Sequence, residues 1–133
     1  MGYEIDFLAV GDESRSGDAI CGRFGNLSGD RSQQFVYIID GGFKESGKKL
    51  VDFINSYYRT NQVDLVVSTH SDQDHISGLE VVVDELDVRS LWLHKPWDHE
   101  RTRSILRKSA EVGSYLEGVQ KSANQAHQLF VLA

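Results

Sequence analysis

The sequence predicts a layered α/β domain built on a mixed β-sheet. Three observations carry this expectation. β-prone runs dominate the first third of the chain, at Tyr3 to Val10, Asp18 to Phe24 and Phe35 to Ile39. From Ser46 the apolar spacing changes to i, i+3, i+4, i+7, the period of an amphipathic helix. Short apolar runs at Val63 to Val67 and Val88 to Leu93 then enclose a second helical pattern. That is the order of β-α-β crossovers, whereas the first strands follow one another through turns as antiparallel neighbours do.

Each element has its own warrant. Tyr3 to Val10 alternates loosely and ends at Gly11, and Asp12 to Gly17 has turn chemistry. Asp18 to Phe24 is the second strand. Gly25-Asn26-Leu27-Ser28-Gly29-Asp30 joins it to the third as a hairpin-type connection. Phe35 to Ile39 is the most strongly β-prone run and reads as the central strand. It leads into Asp40-Gly41-Gly42, where glycines let another backbone approach closely. Leu50, Phe53, Ile54 and Tyr57 form the apolar stripe of the first helix, and Leu79, Val82, Val83 and Leu86 that of the second. From about His99 to Ala133, Ile105, Leu106, Val112, Leu116, Val119, Leu129 and Phe130 indicate one or two further helices, interrupted at Gly113 and Gly118. The sequence stops on the uncapped apolar run Phe130-Val131-Leu132-Ala133, so residues 1–133 are expected to be a single but incomplete domain.

Bulk properties narrow the class. A chain of 133 residues forms one domain and can build a core without disulfides. Its one cysteine, Cys21, has no internal partner, which fits a reducing compartment and makes the cytoplasm the expected location. No segment approaches the roughly 18–20 apolar residues of a membrane span, so no membrane partner is expected. Fourteen basic against 20 acidic residues give a net charge of −6. That balance weighs against a broad nucleic-acid surface without excluding a local basic strip.

The most informative segment is Ser68-Thr69-His70-Ser71-Asp72-Gln73-Asp74-His75. It follows a strand directly, at the sheet end where ligands of open α/β sheets bind. Histidine and carboxylate together are the ligand set of zinc, manganese and iron sites. Ionised carboxylates cannot be buried there without partners. The plainer alternative is a polar turn with Asp72 serving only as a helix cap.

Thr69-His70-x-Asp72-x-Asp74-His75-x-x-Gly78-Leu79 resembles the His-x-His-x-Asp-His signature of the metallo-β-lactamase-fold hydrolases. Asp40-Gly41-Gly42 resembles that family's upstream Asp-Gly element, and Asp18-Ala19-Ile20 its N-terminal hairpin. The resemblance covers roughly residues 3–95. Aspartate at position 72, where histidine is usual, is similar to the metallo-β-lactamase-like domains of DNA-uptake competence proteins.

The resemblance implies a fold, a site and a chemistry. The fold would be the N-terminal half of an αββα sandwich with a two-metal site at one sheet edge. His70 and Asp72 would ligate one divalent ion, Asp74 and His75 the other, and Asp40 would orient ligands by hydrogen bonding. Zinc is the foremost metal, and the extra carboxylate brings in manganese or iron. The activity would be hydrolysis by a metal-bound hydroxide, with Asp74 as the catalytic carboxylate that orients the nucleophile. The substrate would be a phosphodiester, nucleic acid included, or else a small ester, lactone or amide.

The family also uses a later histidine, a bridging aspartate and a final histidine. Among the later histidines only His94 ends a strand, and it lies too soon after His75 to fit the third position well. It reads as a residue of the substrate pocket, a metal ligand or a structural histidine. Trp92 and Trp97 flank it as rim packing or a pocket wall. The alternative function is a partial domain, inactive alone, that binds metal or a partner. Exposed apolar surface on such a half-sandwich leads to the expectation of a homodimer.

Overall fold

Side-chain alternation in the first strands decides where the core lies. The computed structural model describes residues 1–11 and 16–94; the turn at 12–15, Trp97 and the helices expected from His99 onward lie outside the described residues. In β1 (Gly2–Phe7), Tyr3, Ile5 and Phe7 are exposed while Glu4 and Asp6 point to the half-buried side. β1 pairs antiparallel with β2 (Ala19–Gly25), and β2 pairs antiparallel with β3 (Gln34–Gly41). The Gly25–Asp30 connection closes that hairpin, followed by a single 3-10 turn at Arg31–Gln33.

β3 is the middle strand of five, in the order β1-β2-β3-β5-β7, where β5 is Leu65–Ser68 and β7 is Leu91–Leu93. β3, β5 and β7 run parallel, so the sheet is mixed and the fold is α/β as the sequence predicts. The crossovers are α1 (Lys44–Phe53) and α2 (Gln73–Glu85). One face of the sheet presents Cys21, Val36, Ile38 and Val66 to Leu50, Val51, Ile54, Ile76, Leu79 and Val82 of the helical segments, all buried. Burial pushes the Cys21 thiol up to about 12, so it is inert packing rather than a nucleophile. The opposite face carries exposed Tyr3, Ile5, Phe7, Phe24, Phe35 and Trp92. Trp92, 64% exposed, is therefore not part of the core.

Three local departures from the sequence reading have physical causes. The first strand stops at Phe7, although the Leu8 N–H still donates to the Ala19 carbonyl at 2.9 Å. The first helix does not bury Tyr57. Its last turn, Ile54–Tyr58, is a π-helix, and the wider turn advances the buried stripe by one residue. Tyr58 is consequently buried and Tyr57 is 53% exposed. Finally, each later strand is split. β4 (Gln62–Val63) pairs with β6 (Asp87–Val88) in a separate two-stranded sheet, while β5 and β7 join the main one.

Asp64 sits at the first of those breaks. It is buried, and its carboxylate accepts the Val36 N–H at 2.8 Å, Arg31 Nη2 at 2.6 Å and Arg89 Nη1 at 3.2 Å. Burial by itself would raise its pKa. The Val36 and Arg31 hydrogen bonds, the Arg31 charge and the Arg89 bond outweigh burial and hold the carboxyl below its ordinary value of 3.8. A depressed carboxylate contributes stability that is complete above its unfolded pKa of about 3.9 and lost as pH falls through the folded value. Asp64→Asn should cost about 2 kcal/mol at neutral pH. It should also flatten the decline in urea-unfolding midpoint below about pH 4, compared with the parent chain.

Close backbone packing positions α2. The Gly78 N–H donates to the Gly42 carbonyl at 2.8 Å. A Cβ on Gly78 would overlap the Gly41 carbonyl oxygen, and one on Gly47 of α1 would overlap the Gly78 carbonyl. Gly78→Ala should therefore destabilise by about 3 kcal/mol or more, read from chemical unfolding. A loss no larger than that of an exposed helical substitution would show that α2 does not need this approach.

Candidate metal centre

Two strand ends and one helix start bring the site together. β3 and β5 are adjacent and parallel, with Ile39 opposite Val67, so Asp40 at the end of β3 lies beside Ser68 and Thr69. The next residues run through His70 and Ser71 to Asp72, the N-cap position of α2. Asp74 and His75 follow in its first turn.

Asp40 organises the cluster. It is 2% exposed, and its backbone is left-handed at φ 56°, a region that aspartate tolerates better than most residues. One carboxylate oxygen, Oδ1, accepts the Thr69 N–H at 2.8 Å. The other, Oδ2, accepts the Thr69 hydroxyl and lies 3.0 Å from His75 Nδ1. Because the carboxylate only accepts, His75 must carry its proton on Nδ1. The Thr69 hydroxyl has spent its proton on Asp40, so its 2.8 Å contact with His70 Nδ1 assigns the proton there as well. In the neutral tautomer with Nδ1 so engaged, each imidazole offers its Nε2 as the metal-binding atom.

The rings lie close, with centroids 3.7 Å apart. Ligand-type atoms of Asp40, His70 and His75 all fall within 4.8 Å of one another, a grouping that could hold a metal ion. Each free Nε2 also faces a carboxylate. His70 Nε2 lies 3.7 Å from Asp72 Oδ2, and His75 Nε2 lies 3.6 Å from Asp74 Oδ2. These gaps are too long for hydrogen bonds. They are close to the separation of about 3.4 Å between two ligands each about 2.1 Å from a tetrahedral cation. The donor set and its spacing fit a divalent metal.

Asp72 occupies the N-cap position yet makes no side-chain cap hydrogen bond, and its side chain is 72% exposed. The plain capping role is therefore not what the residue does. Asp74 is 35% exposed at its side chain. Neither aspartate joins the tight grouping of Asp40, His70 and His75. His94 follows β7 at the same sheet edge, its N–H 3.2 Å from the Ser68 carbonyl, and it is exposed and outside that grouping.

Sequence reasoning left two contributors without a role. Thr69 relays Asp40 to His70, and its place between a β-run and the first histidine was the available signal. Asp18, whose Oδ2 lies 3.7 Å from His75 Nδ1, is distant in sequence, and the hairpin resemblance that marks it assigns it no part in the site.

The family model described as the metallo-beta-lactamase superfamily matches residues 31–125. No curated protein and no solved structure matches the chain. The mixed sheet with two helices on one face is consistent with part of that fold, and the superfamily is typically metal-dependent. No helix among the described residues is long and apolar enough to cross a membrane.

Asp40→Asn preserves side-chain size and tolerance of the left-handed backbone while removing the charge that fixes His75 and Thr69. Zinc affinity, measured by competition with a chromogenic chelator, should fall about 10- to 100-fold. Unchanged affinity would mean that Asp40 does not orient the histidines.

Proposed function

Because this chain belongs to the metallo-β-lactamase superfamily, we propose that it carries the N-terminal half of a two-metal hydrolase site and that its substrate is a phosphodiester. His70 and Asp72 hold one divalent cation; Asp74 and His75 hold the other. The observation that carries this reading is the pairing of each free Nε2 with a carboxylate 3.6–3.7 Å away. Zinc suits the imidazoles, and the hard oxygen ligands suit manganese or iron equally.

When bound, such ions lower the pKa of water and polarise the scissile group. The chain's own residues supply the rest. Asp40 and Thr69 hold both imidazoles in one tautomer and orientation, so no reorganisation is needed as the site fills. Asp74, partly exposed in the first turn of α2, can orient an attacking water and accept its proton. His94, exposed at the neighbouring strand end, lies where substrate would approach. No serine or cysteine is required, since Ser71 and Ser77 are buried within the loop and helix.

Aspartate at position 72 is what favours a phosphodiester, through its likeness to the competence-protein variant of the motif; a small ester is the competing substrate. A cytoplasmic setting belongs to the same proposal and rests on the lone, buried Cys21. A second reading is favoured by one specific observation. The exposed aromatic face of Tyr3, Phe7, Phe24, Phe35 and Trp92 is apolar surface of the kind that finds a partner. In that reading the chain is a metal-binding module that is inactive until a second copy or another sheet covers the face.

Reconstitution with zinc and with manganese, followed by metal analysis and assays on bis-nitrophenyl phosphate and nitrophenyl acetate, separates these readings. The hydrolase reading expects about one to two equivalents of metal and phosphodiester cleavage that exceeds ester cleavage. It also expects that cleavage to be abolished in a folded His70→Ala variant. Stoichiometric metal without turnover would favour the module. Less than about half an equivalent would sink the site itself.

A further inference from the structure

Three arginines converge at the end of the sheet opposite the metal centre. Arg23 of β2, Arg31 of the 3-10 turn and Arg59 after the π-turn line a cavity of about 470 Å³, with Tyr57 and Tyr58 beside them. Gln34 marks this end of β3 and Asp40 the other. At about 3.3 Å per residue the strand separates the two by about 20 Å. The cavity volume is in the range of small-molecule sites.

The arginines are not equivalent. Arg31 is spent on structure, with Nε on the Thr60 hydroxyl at 3.2 Å, Nη1 on the Gln34 carbonyl at 2.6 Å and Nη2 on the Gln62 carbonyl and Asp64. Arg23 is held through Nε by Glu4 at 2.6 Å and more loosely through Nη1 by Gln34 Oε1 at 3.4 Å. Its guanidinium lies over the Tyr58 ring at 4.6 Å and near the Tyr57 ring at 5.8 Å. Its side chain is only 13% exposed, yet the bonds named use two of five N–H donors. Unspent donors in a partly desolvated cation favour an acceptor from outside. Arg59 is exposed; its backbone N–H donates to the Ile54 carbonyl, while its side chain has no hydrogen-bond or ion-pair partner among the described residues. It leaves the chain from a left-handed backbone at φ 57°, where the π-turn ends. Tyr57, turned out of the core by that same π-turn, stacks on Phe53 at 4.9 Å and is still 53% exposed.

From this arrangement we infer that the cavity binds a small oxyanion carried on a planar ring. Arg23 and Arg59 take the anionic group through their forked N–H pairs, which match phosphate and carboxylate geometry. The exposed Tyr57 ring stacks on the planar part. In a chain of net charge −6, three of the four arginines among the described residues line this one cavity. It is independent of the hydrolase reading, because no residue is shared between the two ends of the sheet.

Calorimetric titration of the whole chain, stripped of metal with a chelator, tests the inference with phenyl phosphate, inorganic phosphate and benzoate as probes. Phenyl phosphate should bind with a Kd at or below about 1 mM and several-fold tighter than inorganic phosphate. Arg59→Ala removes no side-chain hydrogen bond or ion pair among the described residues, so the variant should keep its circular dichroism spectrum while weakening binding about tenfold. Tyr57→Leu should bring phenyl phosphate down to the affinity of inorganic phosphate, and His70→Ala should leave all three titrations unchanged. Benzoate binding as tightly as phenyl phosphate would identify the anion as a carboxylate within the same site. Absence of saturable binding by any probe up to about 10 mM, or equal binding by Arg59→Ala, overturns it.

Discussion

The buried carboxylate of Asp40 is the constraint on which the candidate site depends. An ionised group this deeply enclosed is tolerable only if its lone pairs are taken, and three donors from two other segments take them. Those donors come from the loop after β5 and from the first turn of α2. Satisfying one charge therefore fixes a strand end, a loop and a helix start relative to each other. The same bonds set the proton positions on His70 and His75. Structural necessity and metal readiness are here a single arrangement, and the left-handed backbone at Asp40 is the local strain that it tolerates.

Packing beneath the site has to allow that arrangement. The carboxylate reaches His75 only because α2 lies against the backbone of Gly41 and Gly42, with Gly47 of α1 on its other side. Glycine at positions 41, 47 and 78 removes the side chains that would hold these segments apart. α2 needs this help, since its Val81-Val82-Val83 run is not strongly helix-forming. Packing of Ile76, Leu79 and Val82 into the core holds it instead.

The other end of the sheet solves a similar problem differently. Asp64 and Arg31 satisfy one another and fasten the start of β3 to the break between β4 and β5. Arg23 is held at Nε and Nη1, and Arg59 is exposed. One sheet thus carries an acidic, histidine-bearing end and an arginine-lined end. The net charge of the chain conceals that polarity, because it averages over both.

Much of this was legible in the sequence. Alternation and helical spacing located five strand regions and two helices in order, and β3 was recognised as central because its β-branched run had no polar interruption. The His70–His75 segment stood out because ligand-type residues were dense and followed a strand. The misses share a cause. The split strands turned on whether Asp64 would find partners, and those lie at Val36, Arg31 and Arg89, far away in the chain. Tyr57 and Tyr58 exchanged burial through one widened helical turn that periodicity assumes away. By itself, then, the sequence determined the element order and the superfamily and singled out the His70–His75 segment, because these depend on local pattern and residue chemistry. Only the tertiary structure decided the Nδ1 partners of the two histidines, the uncapped state of Asp72 and the convergence of three arginines. Each depends on which hydrogen-bond partners distant segments supply, and a linear pattern carries no record of that.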